Sequence, residues 1–571
     1  MIAFRSKFSL LLCTTTLCGA LSATAAAAEA TDSVITAMTA ELSRAMTQLG
    51  DTKYPAPYYV SYTIKDLQTH RIAAKQGALL LDDIDRARDA HVDVRVGSYE
   101  FDNSEDDQAE WTEVPDFQPL RSIPLTDSPA AIRHALWLLT DLRYKQAAAS
   151  FLRLKGRRLF EAAPTRERLS HTQAPALVTL APLGDPPVTL ARWRAITRRL
   201  SAQAAAQPYV FDSEVEFRSG RMVRWFVNSE GVRVRTHTPF VQIHVLARTR
   251  AEDGMLLEHS VDHYAPSEGS LPTDEALTSA TERMLNELDA LRHAPELGPY
   301  TGPALLAPRA AGVFFHEVLG HRLEAHRQDS EDEGQTFADH LGKQIVPTFL
   351  SVFDDPTKDH LGTTPLNGAY TIDDEGVHSQ RTTLVDRGVL HGFLMGRRPA
   401  PGFRHSNGHG RAAGVMRPTA RMGNLIVHAH RTVNDATLMK RLLAEVRHQG
   451  KPYGLWIRDL SGGQTNTSSY GYQAFKGEAR MVYKVDAKTG AKTLVRGVDL
   501  VGTPLATLSK ITAAGHTIGV FNGYCGAESG MVPVSTVAPA LVFSEVELQR
   551  TARSRGQKPL LDAPAPPQDA P

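Results

Sequence analysis

Residues 311–326 read AGVFFHEVLGHRLEAH, a helical run so apolar that the rest of the chain must bury it. His316, Glu317 and His321 stand inside it. Metal-dependent hydrolysis uses that set, because neutral imidazoles hold a Lewis acid and a nearby carboxylate takes the proton of a water. The familiar zinc-peptidase pattern spaces its histidines four apart, on one helical face. Here the spacing is five, and on a regular α-helix five residues turn through about 500°, leaving the rings roughly 140° apart. Sharing one small ion then requires a local change. A π-bulge adds one residue to the turn and restores a common face; a helix loosened at Gly320 is the other solution. Glu324 and His326 offer competing ligands, for instance His321 with Glu324, although that set leaves Glu317 in an apolar segment with no task.

The N-terminus reads as a secretory signal peptide over residues 1–28: Arg5 and Lys7, an apolar stretch from Phe8 to Leu21, then small residues from Ser22 to Ala28 that supply A-x-A cleavage sites. Its apolar core is shorter than the roughly 20 residues of a membrane span, so no stable membrane insertion is expected. The chain is expected to be exported, to a periplasm or out of the cell. Of the three cysteines, Cys13 and Cys18 fall in this segment, which leaves Cys525 as the one thiol of an exported protein. A lone cysteine there is buried and inert, paired between chains, nucleophilic, or bound to a metal. Two histidines are one ligand short of a catalytic zinc site with three protein ligands and an open position. Cys525 can fill the place, since Gly523 and Gly526 in FNGYCGAESG suit a tight loop that brings a side chain close to an ion. Two imidazoles and a thiolate accept zinc, and also iron or cobalt. A thiolate leaves the ion with less net charge to acidify water, which makes Glu317 more necessary as a base.

Lysine plus arginine (63) balances aspartate plus glutamate (63) over 571 residues, so no basic field exists to attract nucleic acid, and no nucleic-acid partner is expected. The periodicity predicts an α+β fold: an N-terminal α+β domain over residues 29–298, a β-rich C-terminal domain over 299–555 carrying a single active-site helix, and a disordered Pro/Ala-rich tail over 556–571. Thr31 or Asp32 caps a first helix that Gly50 ends; a second starts at Ser128-Pro129 and runs through Leu142; a third spans about Thr273–His293. Tyr58–Ile64 and His91–Val96 are strand-like. Residues 208–248 read as a meander of Tyr209–Phe217, Met222–Val227 and Phe240–Ala247, with turns at Ser219-Gly220 and Asn228–Gly231. Arg480–Val485 and Lys492–Arg496 form a hairpin about Lys488-Thr489-Gly490.

HEVLGHRLEAH at 316–326, VNSEGV at 227–232, TIDDEG at 371–376, SGGQ at 461–464 and CGAESGMVPV at 525–534 together resemble the TldD/PmbA family of metallopeptidases, in its metal-bearing TldD-type form. The resemblance covers most of residues 208–548. It implies an α+β N-terminal domain, a β-rich C-terminal domain with the active-site helix, and a homodimer or a heterodimer with a related subunit around a cavity that admits unfolded peptides. Carried over residue by residue, His316, His321 and Cys525 match the metal ligands and Glu317 the catalytic glutamate. Export departs from the cytoplasmic members of the family.

The reading that follows is a zinc-dependent peptidase in which Glu317 shuttles the proton from water to the leaving amine. Extended peptide substrates are expected against a sheet edge near Gly462 and Gly463. Arg411 and Arg421 are candidates to neutralise a peptide carboxylate or an oxyanion. Two rivals remain: a catalytically inactive peptide-binding subunit, against which stands the presence of all four site residues, and a thiol peptidase using Cys525 with a histidine base.

Overall fold

The computed structural model describes residues 32–50, 54–105, 119–160, 168–328, 330, 332–470, 473–551, 555–557 and 561. The expected signal peptide and most of the expected disordered tail lie outside them. At the start of that tail, the Gly556 N–H donates to the Gly254 carbonyl (3.1 Å), which ties the chain to the turn before Met255.

Helix α1 (Ser33–Gln48) opens the described chain, with Asp32 as its cap: the carboxylate accepts from the Val34 and Ile35 amides at 3.0 Å each. Strands β1 (Pro57–Lys75) and β2 (Ala78–Val96) form one long hairpin about Gln76-Gly77, both with positive φ. The two short strands expected here are its ends. Residues 78–87 of β2 are mostly exposed on both faces, so the outer half of the hairpin lacks the alternation that marks a strand in sequence. Helix α2 (Pro129–Arg157) runs well past Leu142. After β3 (Val178–Leu180) and α3 (Leu190–Ala205) come β4 (Asp212–Asn228), β5 (Arg233–Arg250) and β6 (Leu256–Ala265). The sheet order is β2-β1-β4-β5, with β3 and β6 sharing the far edge of β5.

The turn expected at Ser219-Gly220 is absent, because β4 runs straight through it. There Gly220 lets two backbones approach: a Cβ would sit 2.1 Å from the Gln68 carbonyl oxygen. The turn at Asn228–Gly231 is present, the Asn228 side chain accepting from the Glu230 and Val232 amides. Helix α4 (Asp274–His293), capped by Thr273, packs Leu277, Met284, Leu288 and Leu291 into the core beneath this sheet.

Beyond it, β7 (Tyr300–Leu306) leads directly into α5 (Pro308–Phe315). The strands that follow are β8 (Leu350–Asp354), the ribbon of β9 (His360–Leu361) and β10 (Thr364–Pro365), β11 (Thr382–Asp386), β12 (Val389–Leu390), the ribbon of β13 (Gly410–Arg411) and β14 (Thr419–Ala420), and β15 (Asn424–Ala429). Then come α6 (Asp435–His448), β16 (Tyr453–Thr465), β17 (Phe475–Asp486), β18 (Lys492–Val495), β19 (Val498–Gly502), α7 (Pro504–Leu508), β20 (Ile511–Ala527) and β21 (Gly530–Arg550). The hairpin about Gly490 forms as expected, between β17 and β18. Five strands close on themselves in the order β7-β16-β17-β19-β21 and back to β7. Helix α5 sits against this circuit with Ala310–Phe315 all buried, and the Phe314 ring meets Phe475 and Phe543 edge-on at 5.4 and 5.1 Å. A single helix was expected here; α6 is a second, laying Leu438, Leu442 and Val446 on Leu305, Val485 and Val542. Its charged outer face hides that stripe in a sequence scanned for strands.

The two sheets meet through buried ions. Arg224 on β4 donates to the Ile372 and Asp373 carbonyls (3.0 and 2.6 Å) and to Asp374, and Lys65 on β1 reaches Asp374 (2.9 Å) and the Ala412 carbonyl (2.7 Å). Arg397 binds the Thr172 carbonyl and Glu230 (2.7 Å). Beside it lies His171, 1% exposed, its ring tilted against Tyr59 and parallel to Tyr99, with neither ring nitrogen hydrogen-bonded among the described residues. Burial, followed by Arg95 and Arg397, holds His171 well below the ordinary histidine range. An unfolded histidine takes up a proton below pH about 6.5, whereas the folded one does not, so this contribution to stability is complete above that pH and is lost progressively as pH falls from there toward the depressed folded value. Chemical denaturation followed across pH 7 to 5 should show a decline that His171→Phe reduces; equal declines in both proteins would refute it.

Candidate metal centre

Helix α5 does not continue as an α-helix. Residues His316–Gly320 form one π-helical turn, closed by the His321 N–H donating to the His316 carbonyl, five residues back, and a 3₁₀ turn follows over His321–Leu323. This is the π-bulge solution to the five-residue spacing. Gly320 is not a loosened point: its φ of −54° and ψ of −58° are helical. It is glycine because a Cβ would lie 2.1 Å from the Met422 sulfur, which is itself fully buried. The widened turn puts both imidazoles on one side, ring centres 5.0 Å apart and planes at 88°.

Cys525 arrives from β20. It stands on a strand rather than in a loop, paired with Val532 near the tip of the β20–β21 hairpin. Its sulfur lies 3.2 Å from His316 Nε2 and 3.2 Å from His321 Nε2. The three donor atoms lie within 4.8 Å of one another, and no other such His/Cys/Asp/Glu group occurs among the described residues. With Glu317, these side chains are 3% to 7% exposed. Burial opposes a charge on either histidine, but Cys525 outweighs it and raises both, His321 well above the ordinary range. Burial likewise opposes the thiolate, yet the two imidazoles hold the Cys525 thiol well below its ordinary value. Two Nε2 atoms and a thiolate converging from two elements fit a small divalent ion with a position left open.

Residues outside the three-donor set hold this group in place. Glu324, fully buried, brings Oε1 to 3.3 Å from His321 Nδ1, so the competing ligand instead orients the ring from behind. Burial opposes its charge, but His321 and Arg327 hold its carboxyl well below the usual range. Arg421 ties that carboxylate to the hairpin: Nε is 3.5 Å from Glu324 Oε1, while the other nitrogens donate to the Cys525 carbonyl (2.6 Å), Ser529 Oγ and the Gly530 carbonyl. It is fully buried and does not line the metal-bearing cavity. Arg411 also lies away from the cavity, donating to the Met422 carbonyl (2.5 Å) and packing on the Tyr370 ring. Arg322 donates to the Glu317 carbonyl (2.9 Å), Thr465 Oγ1 and the Asn466 carbonyl (2.8 Å). Some partners are local, His321 and Arg327 for Glu324 and the Glu317 carbonyl for Arg322, but the Cys525 carbonyl for Arg421 and the Asn466 carbonyl for Arg322 lie over 100 residues away, where no local pattern announces them.

The centre opens into a cavity of about 550 Å³ lined by His316, Glu317, His321 and Cys525, by Ser461–Thr465 of β16, and by Asp262 and Tyr264 of β6 in the N-terminal sheet. Gly462 and Gly463 are thus brought to the site. At Gly463 a Cβ would fall 2.4 Å from Glu317 Cγ, so glycine is what lets β16 pass over the glutamate. Burial pushes the Glu317 carboxyl above its usual range.

Residues 299–550 match the PmbA/TldA metallopeptidase C-terminal domain. This part of the chain is thus a domain of the TldD/PmbA kind. It is 30% identical over 232 residues to a metalloprotease of Methanocaldococcus jannaschii, covering 40% of this chain and 47% of that protein. It is 25% identical over 277 residues to a zinc metalloprotease TldD homolog of Saccharolobus solfataricus, covering 48% of this chain and 56% of the other. The matched region thus spans about half the length of these curated relatives. The crystal structure of TldE from Thermococcus kodakarensis superposes with a TM-score of 0.56 at 12% identity, over 86% of this chain and 97% of that one, which shows a shared fold.

If Glu324 orients His321, Glu324→Gln should weaken metal affinity by about 10 to 100-fold in a competitive chelator titration. Wild-type affinity in that variant would remove Glu324 from the centre.

Proposed function

We propose that this chain is a metal-dependent peptidase acting on extended or unfolded peptides, with His316, His321 and Cys525 as ligands and Glu317 as the proton carrier. The observation that carries the reading is that the three donors and the glutamate, drawn from segments some two hundred residues apart, face one cavity. When bound, the metal supplies a Lewis acid that polarises the scissile carbonyl and a water. Glu317 takes the proton of that water and delivers it to the leaving amine. Its place on the widened turn, beneath Gly463, fixes it against the substrate-facing strand.

Zinc is the ion favoured by the donor set and by the name of the Saccharolobus relative, while iron and cobalt suit the same ligands. The peptide is held in extended form along β16, which pairs with β7 only over Leu455–Ile457 and breaks its pairing with β17 between Leu460 and Gly463. We place the protein outside the cytoplasm on the strength of its N-terminal sequence, working as a dimer with a second copy or a related chain. A thiol peptidase is the weaker reading, because both imidazoles address the buried sulfur through Nε2 and neither is left to serve a substrate.

Glu317→Gln should retain metal and lose peptide cleavage by about 10² to 10⁴-fold in kcat; wild-type turnover would refute the mechanism. A chelator should abolish cleavage and added zinc restore it, whereas a thiol peptidase would survive the chelator. Gly463→Ala should displace Glu317 and lower kcat by about 100-fold at unchanged metal content, measured by elemental analysis beside peptide kinetics.

A further inference from the structure

A second cavity, of about 600 Å³, lies beside the first and shares Gln464 and Thr465 with it. Strand register gives it a direction. Gln464 on β16 pairs with Lys476 on β17, Lys476 with Val501 on β19, and Val501 with Glu547 on β21. Directly paired residues point to the same face, so these four side chains form one row that starts at the metal-bearing cavity and crosses the sheet. At about 4.8 Å between strands, three steps span roughly 14 Å, the reach of about four extended residues. Ala506 of α7 and Lys510 line the same cavity.

The charges along the row are uneven. Lys476 is held by Asp499, whose carboxylate is 1% exposed and lies 3.1 Å from Nζ, and Lys510 lies 3.4 Å from Glu545. Glu547, exposed at the far end, has no ion-pair partner among the described residues. The cations are therefore compensated and a carboxylate is left over. Arg322 fixes the wall between the cavities to the site, since one guanidinium holds the Glu317 carbonyl on one side and Thr465 and Asn466 on the other.

We infer that the substrate peptide, held along β16 at the metal-bearing cavity, turns off that strand at Gln464, crosses this row and places a basic side chain against Glu547, about four residues from the scissile bond. The inference rests on the peptidase reading above and adds a remote subsite to it. The test uses the full, metal-loaded chain and synthetic peptides of two lengths, one filling only the first cavity and one reaching past Glu547, the longer carrying Lys or Glu at the remote position. Val501→Trp, which fills the row, should lower kcat/KM for the long peptide about tenfold relative to the short one. Glu547→Lys should turn a preference for remote Lys into one for remote Glu. Ala506→Leu narrows the cavity from the other side and should reproduce the length effect if the tryptophan variant misfolds. Equal treatment of both lengths by wild type and variants, or indifference to the remote charge, overturns the subsite while leaving the peptidase standing. A wild-type enzyme that cleaves neither length would instead bring down the peptidase reading, and the subsite with it.

Discussion

One backbone hydrogen bond sets the geometry of the site: the His321 amide reaching the His316 carbonyl across five residues rather than four. An α-helical turn would point the two imidazoles roughly 140° apart, away from a shared partner such as the Cys525 sulfur. The wide turn carries its usual penalty of poorer packing around the helix axis, and here burial on every side offsets it. Phe314 and Phe315 precede the turn, Met422 presses against Gly320, and Leu319 and Leu323 are fully buried. The helix holds an unfavourable turn because the closed circuit of strands leaves it no room to relax.

Around that turn, arginines do the fixing. Arg421 joins the carboxylate behind His321 to the carbonyl of Cys525, so the two elements that supply donors share one guanidinium. Arg322 does the same for the base and the strand above it. Each is nearly or fully buried and donates to backbone carbonyls. A planar fork with several donors in fixed directions suits this, where a lysine would hold only one point. Two of the sequence motifs, VNSEGV and TIDDEG, serve the same end at larger scale: Glu230 and Asp374 anchor Arg397 and Arg224 across the contact between the sheets.

What the sequence disclosed followed from period and chemistry. The capped helices at Asp32 and Thr273, the turn at Asn228 and the hairpin about Gly490 each carry a local signal, and the structure has all four. So did His316, Glu317 and His321, whose odd spacing demanded a bulge, and Cys525, the leftover thiol. The failures are non-local. Gly220 looks like a turn residue, but its reason is the backbone of β1 passing within contact, a fact set by residues some 150 positions earlier. The outer half of the β1–β2 hairpin is solvated on both faces, so its pattern carries no period. Arg411 and Arg421 were plausible anion binders as residue types; only the fold shows their donors already spent on carbonyls.

The N-terminal sheet matters to the chemistry for a reason that neither motif nor metal set reveals. Asp262 and Tyr264, on β6, form part of the wall of the metal-bearing cavity, and the Tyr264 ring meets Tyr524 edge-on at 5.7 Å, one residue before the cysteine. Burial opposes a charge on Asp262, but the His244 imidazole 2.6 Å away holds its carboxyl below the usual range, so this wall carries a carboxylate already paired with a histidine. Tyr524 is 43% exposed even so, and Met531 beside it 56%. The cavity is thus walled on one side by the first sheet, while Tyr524 and Met531 on the β20–β21 hairpin stay exposed beside it.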